Sequence, residues 1–195
     1  FDGTTAKMYI DGVNKISTDL TGVPTATTQS FLIAAADGVS PTALFNGSID
    51  EVRVWDVALS EAQFRYVINQ EIQKNGTLTN GSIIPGIITL NDISSIQWNK
   101  LSAYYPMSTY TYTNAKDISD NNFTAALRNL TTVDRQTAPL PYESAADGLW
   151  QTATSWMNNT VQDLPYSKSI EDASKTIDWN IVKITYASQK GMKPA

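Results

Sequence analysis

The stretch from Leu44 to Lys74 imposes the strongest local constraint in the chain: a strand that stops at a polar break, then a helix that starts on its own cap. Ile49, Val52, Val54 and Trp55 set β-branched and aromatic side chains among Asp50, Glu51 and Arg53, a mixture that suits a pleated surface buried on one side. The pattern predicts a strand over Ser48–Trp55. Asn46-Gly47 ahead of it supplies a turn or bulge, because glycine accepts positive φ. Ser60 stands where an N-cap hydroxyl can accept a first-turn N–H, and Gln63 sits three residues on, as a capping box requires. Phe64, Val67, Ile68 and Ile72 follow at helical spacing, predicting an amphipathic helix that Asn75-Gly76 ends.

Two absences narrow the chemistry. The chain has no histidine and no cysteine, which excludes a disulfide scaffold, a Cys/His zinc site, a thiol nucleophile and a Ser-His-Asp triad within it. Charged residues make up only 17%, and the polar remainder is dominated by Thr, Ser and Asn, a balance that favours extracellular β-structure with polar turns. The net charge of −5 argues against nucleic acid or an anionic membrane surface as a partner. No apolar run has the length of a bilayer span; the most apolar segment, Ile83–Leu90, is short and broken by Pro85-Gly86. Phe1-Asp2-Gly3 reads as mid-strand rather than as a signal peptide, so the expectation is a piece of something longer.

Along the chain, Lys7–Ile16 reads as a β-hairpin around Asp11-Gly12. Ser17–Thr28 is a Thr-rich loop or edge, Ser30–Ala35 a short apolar strand and Asp37–Thr42 a loop. Asn75–Asn91 is a linker or a strand pair broken at Pro85-Gly86. Leu101–Tyr105 is strand-like, Lys116–Asn122 a polar loop, and Ile177–Tyr186 the clearest strand of the C-terminal part. Ile96-Gln97-Trp98-Asn99 with Tyr105 echoes Ile177-Asp178-Trp179-Asn180 with Tyr186 in spacing. Coincidence in a Trp- and Tyr-rich chain and serial modules are both open readings of that echo.

Three pieces resemble the laminin-G-like branch of the concanavalin A-like jelly rolls. Met8-Tyr9-Ile10-Asp11-Gly12 is similar to the family's closing-half hairpin. Phe31-Leu32-Ile33-Ala34 is similar to its next strand, with Ala34 where Gly is usual. Phe45–Trp55 followed by Ala58-Leu59-Ser60 resembles its ending in both order and spacing. Leu101–Met107 and Asp117–Asn122 resemble the family's opening strand and loop, so a closing half precedes an opening half. The chain then holds the end of one module and the start of another, or a variant of one. Later segments, with Gln136–Tyr142, Trp150, Trp156 and Asp178–Val182, are similar to those that follow such modules in very large surface adhesins of gliding bacteria, those of the SprB type exported by type 9 secretion.

The resemblance implies an all-β fold: an antiparallel β-sandwich of the laminin-G-like jelly-roll type with one short helix, plus a β-rich C-terminal part. It divides the chain into residues 1–76 as the C-terminal half of a jelly roll and 77–100 as linker or strand pair. Residues 101–147 are then the start of a second such segment and 148–195 a β-rich repeat segment. Family members bind glycans or proteins, often with Ca²⁺, so calcium is the expected cofactor. The expected partners are a surface polysaccharide or other cell-surface ligand and the secretion machinery, at the cell surface. Fold alone does not fix this, since glucanase relatives share the architecture.

The residues themselves argue against catalysis. Glycoside hydrolysis needs two carboxylates flanking one bond, whereas Asp50 and Glu51 are adjacent and point to opposite faces of a strand, as do Glu171 and Asp172 if extended. The expectation is a non-enzyme. Asp117, Asp120, Asn121 and Asn122 cluster hard oxygen ligands of the kind calcium takes, and turn chemistry explains the same composition. Asp11 and Asp37 make weaker metal candidates. Sugar contacts need exposed aromatic faces; among Tyr104, Tyr105, Tyr110, Tyr112, Trp150 and Trp156, the Thr-flanked Tyr110 and Tyr112 are the ones expected to be exposed, the rest packing inside. Three functions follow in order: an adhesion module, a structural spacer or passenger bound by its secretion machinery, and a glycoside hydrolase.

Overall fold

A computed structural model describes residues 1–22, 25–37, 39–47, 49–82, 96–108, 113–128, 142–159, 161, 166–169 and 173–185. In chain order their elements are β1 (Thr5–Ile10), β2 (Val13–Asp19), β3 (Val52–Trp55), α1 (Glu61–Ile68), β4 (Ile72–Asn75), β5 (Leu78–Gly81), β6 (Leu101–Tyr105), β7 (Asn114–Ala115), β8 (Ala125–Ala126), β9 (Tyr142–Glu143) and β10 (Val182–Lys183). The described fold is all-β with one α-helix. It is built from two-stranded sheets, four of them antiparallel and β9–β10 parallel, and it closes into no barrel.

β1 and β2 form the expected hairpin, with Met8 opposite Ile16 and an irregular step after Met8. Its turn residues Asp11 (φ 49°) and Gly12 (φ 80°) are both left-handed, the backbone that lets a two-residue turn match the twist of the strands. β3 pairs with β6: Val52 faces Tyr105, Arg53 faces Tyr104 and Val54 faces Ala103, with a register shift before Trp55 and Leu101. Segments expected in separate units, 1–76 and 101–147, thus share one sheet.

That sheet has a core on each face. Tyr66, Val67, Ile72, Ile96, Trp98, Leu101 and Tyr104 make one cluster, with Trp55, Leu59 and Ile118 against it. Ala103, Tyr105 and Ala115 make the other, with Ile33, Val52, Val54, Met107, Ala125 and Leu127 packed on it. β6 is apolar at consecutive positions because both of its faces are covered. β3 alternates instead, sending Val52 and Val54 to the second cluster and Trp55 to the first, as period-two geometry requires.

Four expectations need correction. The strand around Trp55 begins at Val52 rather than Ser48, because Glu51 has left-handed backbone (φ 53°) that interrupts a pleated run. The helix ends at Ile68 with Asn69 as C-cap, and Ile72 belongs to β4. Asn75-Gly76 is the turn of the β4–β5 hairpin, with Gly76 at φ 60°, and Ile72 reaches the same core from a strand. Ser30–Ala35 forms no strand; Ala34 (φ 67°) breaks the extended run while Ile33 still packs inward. Of Ile177–Tyr186 only Val182–Lys183 pairs as a strand, and Tyr186 lies outside the described residues, as do Ile83–Leu90.

Candidate binding surface and the polar sites beneath it

The expected metal loop is held to β6 by its own first acidic residue. Asp117 is fully buried. Its Oδ1 accepts from the backbone N–H groups of Tyr104 (2.8 Å) and Ser119 (2.8 Å). Its Oδ2 accepts from the Ser119 hydroxyl (2.8 Å) and the Phe123 N–H (2.8 Å). A carboxylate has about four acceptor sites, and protein donors take that many here. Burial alone would raise this carboxyl; the N–H groups of Tyr104, Ser119 and Phe123 and the Ser119 hydroxyl outweigh it and hold the group below the usual range. Ile118 N–H donates back to Tyr104 O (2.9 Å), and Asn121 Nδ2 to Ser102 O (2.9 Å), so the loop is stitched along one strand.

Asp120 and Asn122 lie outside that stitching. Asp120 is exposed and accepts from Lys74 Nζ at 2.7 and 2.8 Å. Asn122 takes left-handed backbone (φ 54°), with its Nδ2 3.5 Å from Asp120 O. A cation bound by this set would have to strip Asp117 of its donors and would face the Lys74 ammonium at Asp120. As arranged, the four residues do not fit calcium. No group of three or more Asp, Glu, His or Cys able to hold a metal occurs among the described residues. Asp11 (φ 49°) and Asp37 (φ 61°) are turn residues, and Asp37 Oδ1 accepts from Val39 N–H (2.9 Å).

Glu51 is the second acidic site. Its side chain and that of Arg53 are 5% and 8% exposed, and the two are directly paired. Tyr104 donates its hydroxyl to Glu51 Oε2 at 2.6 Å. Arg53 also donates to Val67 O and, at 2.7 Å, to Gln70 O, so a cation from β3 satisfies carbonyls at the C-terminal end of α1. Its guanidinium lies 5.0 Å from the centre of the Tyr104 ring. Burial pushes the Glu51 carboxyl up against the pull of Arg53 and the Tyr104 hydroxyl, and burial likewise raises the Tyr104 phenol well above its ordinary value. Among the described residues, Glu51 Oε1 and Arg53 Nε find no hydrogen-bond partner. This carboxylate is locked into a core joint. Glu171 and Asp172 lie outside the described residues.

Exposed aromatic surface comes from places the sequence did not single out. Tyr104, Tyr105, Trp150 and Trp156 are buried, and the indole of Trp156 donates to Trp150 O (2.8 Å). Tyr110 and Tyr112 lie outside the described residues. Phe31 (67%) and Phe45 (57%) instead stand exposed, with Leu32 and Leu44 beside them in sequence. Phe45 is held by its N–H donating to Ala34 O (2.9 Å) and by a ring that lies where a Cβ on Gly47 would sit, 2.7 Å from Phe45 Cε1. Gly47 does not take positive φ; what it leaves open is the space the Phe45 ring occupies. No local signal separated this surface from a buried strand, because a continuous apolar run such as Phe31-Leu32-Ile33-Ala34 reads as core.

Taken together, the described residues form a β-structured unit in which Glu51 and Asp117 are committed to structure and loops at Phe31 and Phe45 carry exposed apolar side chains. Residues 1–64 match the family model of the concanavalin A-like lectin/glucanases superfamily. No curated protein and no solved structure matches the chain.

Proposed function

We propose that this chain is a non-catalytic extracellular adhesion module that contacts a surface polysaccharide or other cell-surface ligand. It belongs, on this reading, to a large secreted bacterial surface adhesin of the SprB type, exported by type 9 secretion and serving attachment or gliding. The observation that carries the reading is the exposure of two apolar pairs, Phe31-Leu32 and Leu44-Phe45, inside the segment similar to the lectin/glucanase superfamily. Exposed apolar side chains mark contact sites, and an exposed aromatic ring offers the flat face on which the C–H side of a sugar stacks. The engagement of Glu51 with Arg53 and Tyr104 supports a non-catalytic role, because a glycosidase needs a free carboxylate pair. Calcium has no step in the proposal, since Asp117 is filled by protein donors.

A glycan array, with and without Ca²⁺, tests it. Binding to a defined polysaccharide class that Phe31→Ser and Phe45→Ser weaken at least tenfold, with unfolding unchanged, is the expected result. Tyr110→Ala and Tyr112→Ala enter the same comparison. No binding on any glycan or cell surface would favour the spacer or secretion-passenger reading, and turnover of a polysaccharide would make the chain a hydrolase; either result ends the proposal.

A further inference from the structure

Helix α1 is contacted on two sides by segments of one sequence pattern. On the side carrying Tyr66 and Val67, Ile96 and Trp98 share its core cluster, and Trp98 meets Tyr104 edge-on. Arg65 and Asn69, one turn apart, meet the second copy of that pattern, Ile177-Asp178-Trp179-Asn180. The Arg65 guanidinium lies 3.8 Å from the centre of the Trp179 ring. Asn69 Nδ2 donates to Trp179 O (3.3 Å) and to Asn180 Oδ1 (3.0 Å). Gly12 makes the third wall: a Cβ there would fall 2.3 Å from Trp179 Nε1, so the indole occupies the space that any side chain would fill. Both isoleucines are buried and tied by main-chain hydrogen bonds, to different partners. Ile96 O accepts from Thr79 N–H (2.8 Å), while Ile177 accepts from Tyr166 N–H (2.5 Å) and donates to Ser167 O (2.9 Å).

We propose that Gly12, Arg65 and Asn69 form a docking site for an extended Trp-Asn segment, filled in this chain by Trp179-Asn180. Each wall reads a different feature of the incoming segment. Arg65 recognises the aromatic face by cation–π attraction, Asn69 recognises a main-chain carbonyl and the following amide side chain, and Gly12 admits a ring of indole size. The site is organised on its own side: Arg65 Nε donates to Gly12 O (3.0 Å), and its Nη2 pairs with Glu61 (2.5 Å). A receptor fixed in advance loses less entropy when the segment arrives. Among the described residues the Trp179 indole N–H, like that of Trp98, is buried without an acceptor. The site joins the N-terminal hairpin, the helix and the C-terminal segment in a single contact, and it gives the second copy of the echoed pattern a physical role.

Amide hydrogen exchange on the full chain tests this. Arg65→Met keeps the bulk of the side chain and removes its cation; Asn69→Ala removes the amide. Each is expected to speed exchange of the amides from Ile177 to Lys183 at least tenfold, while the β3–β6 amides change less than twofold. Trp179→Ala is expected to speed exchange at Gly12 and Val13 in return, because coupling is reciprocal. Exchange of 177–183 unmoved by both Arg65→Met and Asn69→Ala would overturn the proposal. So would acceleration of β3–β6 in step with it, which would reduce both residues to general contributors to stability. If Trp179→Ala does not fold, Trp179→Phe provides the return measurement: the smaller ring retains part of the stacking and is expected to give an intermediate acceleration at Gly12, and none at all would count against the site.

Discussion

Substituting Asp117 by Asn separates a structural carboxylate from a calcium ligand, because the two roles give opposite responses to the ion. The change is isosteric, but one of two acceptor oxygens becomes an NH₂ donor. If that group faces Ser119 and Phe123, the Ser119 hydroxyl can turn and accept, while the Phe123 N–H loses its acceptor. A buried donor left unpaired costs about 1–3 kcal/mol, and the bonds that survive lose their charge assistance, worth about another 1 kcal/mol. The expected loss is therefore ~2–4 kcal/mol, which in a chain of this size lowers Tm by roughly 5–15 °C. Ser119→Ala, which removes only one of the four donors, calibrates the scale at about 1 kcal/mol. Thermal unfolding followed by circular dichroism in EDTA and in millimolar Ca²⁺ reads both variants. The reasoning is refuted if Asp117→Asn is as stable as wild type. It is equally refuted if wild type gains several degrees from Ca²⁺ and the variant differs from it only when the ion is present. The pH dependence has a definite sign. Asp117 has a folded pKa below its ordinary value near 3.8, so its contribution is present above that value and is lost as pH falls through the folded pKa; the gap between wild type and Asp117→Asn should close in strong acid.

Other perturbations test separate joints. Glu51 has a folded pKa raised by burial above its ordinary 4.5, so its contribution is full below that pH and is lost as pH rises through the folded pKa; Glu51→Gln should flatten this pH slope in equilibrium denaturation. Arg53→Ala leaves the buried Glu51 and the carbonyls of Val67 and Gln70 without their cation, and denaturant titration should show a loss of about 3–5 kcal/mol. Ser60→Ala removes a capping box whose two halves are both formed, and should cost about 1 kcal/mol in the same assay. Leu101→Ala empties a 1% exposed core position and should cost about 2–5 kcal/mol.

Local signals in the sequence translated well where the chain answers to its own neighbours. Ser60 and Gln63 form the box their spacing announces, with Ser60 N–H to Gln63 Oε1 at 2.9 Å and Gln63 N–H to Ser60 Oγ at 3.2 Å. Asp11-Gly12 makes the expected turn. Helical spacing misled at Ile72, because a side chain can enter one core from a helix or from the strand that follows it, and Asn75-Gly76 is as good a hairpin signal as a helix stop. The loop at Asp117 was legible as a cluster of oxygen ligands, but not its use: whether a carboxylate meets a cation or backbone N–H groups depends on β6, whose Tyr104 N–H lies 13 residues away. The exposure of Phe31 and Phe45 depends likewise on what covers them, which no local pattern encodes.

The pairing of β3 with β6 fixes an order of assembly. Glu51 and the Tyr104 hydroxyl that completes its hydrogen bonding lie 53 residues apart, so a nascent or translocating chain reaches β3 and α1 long before their partner strand emerges. Until then β3 presents an open edge, and Arg53 and Glu51 have no roof over them. The joint is therefore completed only by the later-made strand: without Tyr104 and Tyr105, β3 keeps a bare edge and the Glu51–Arg53 pair lacks its covering hydroxyl.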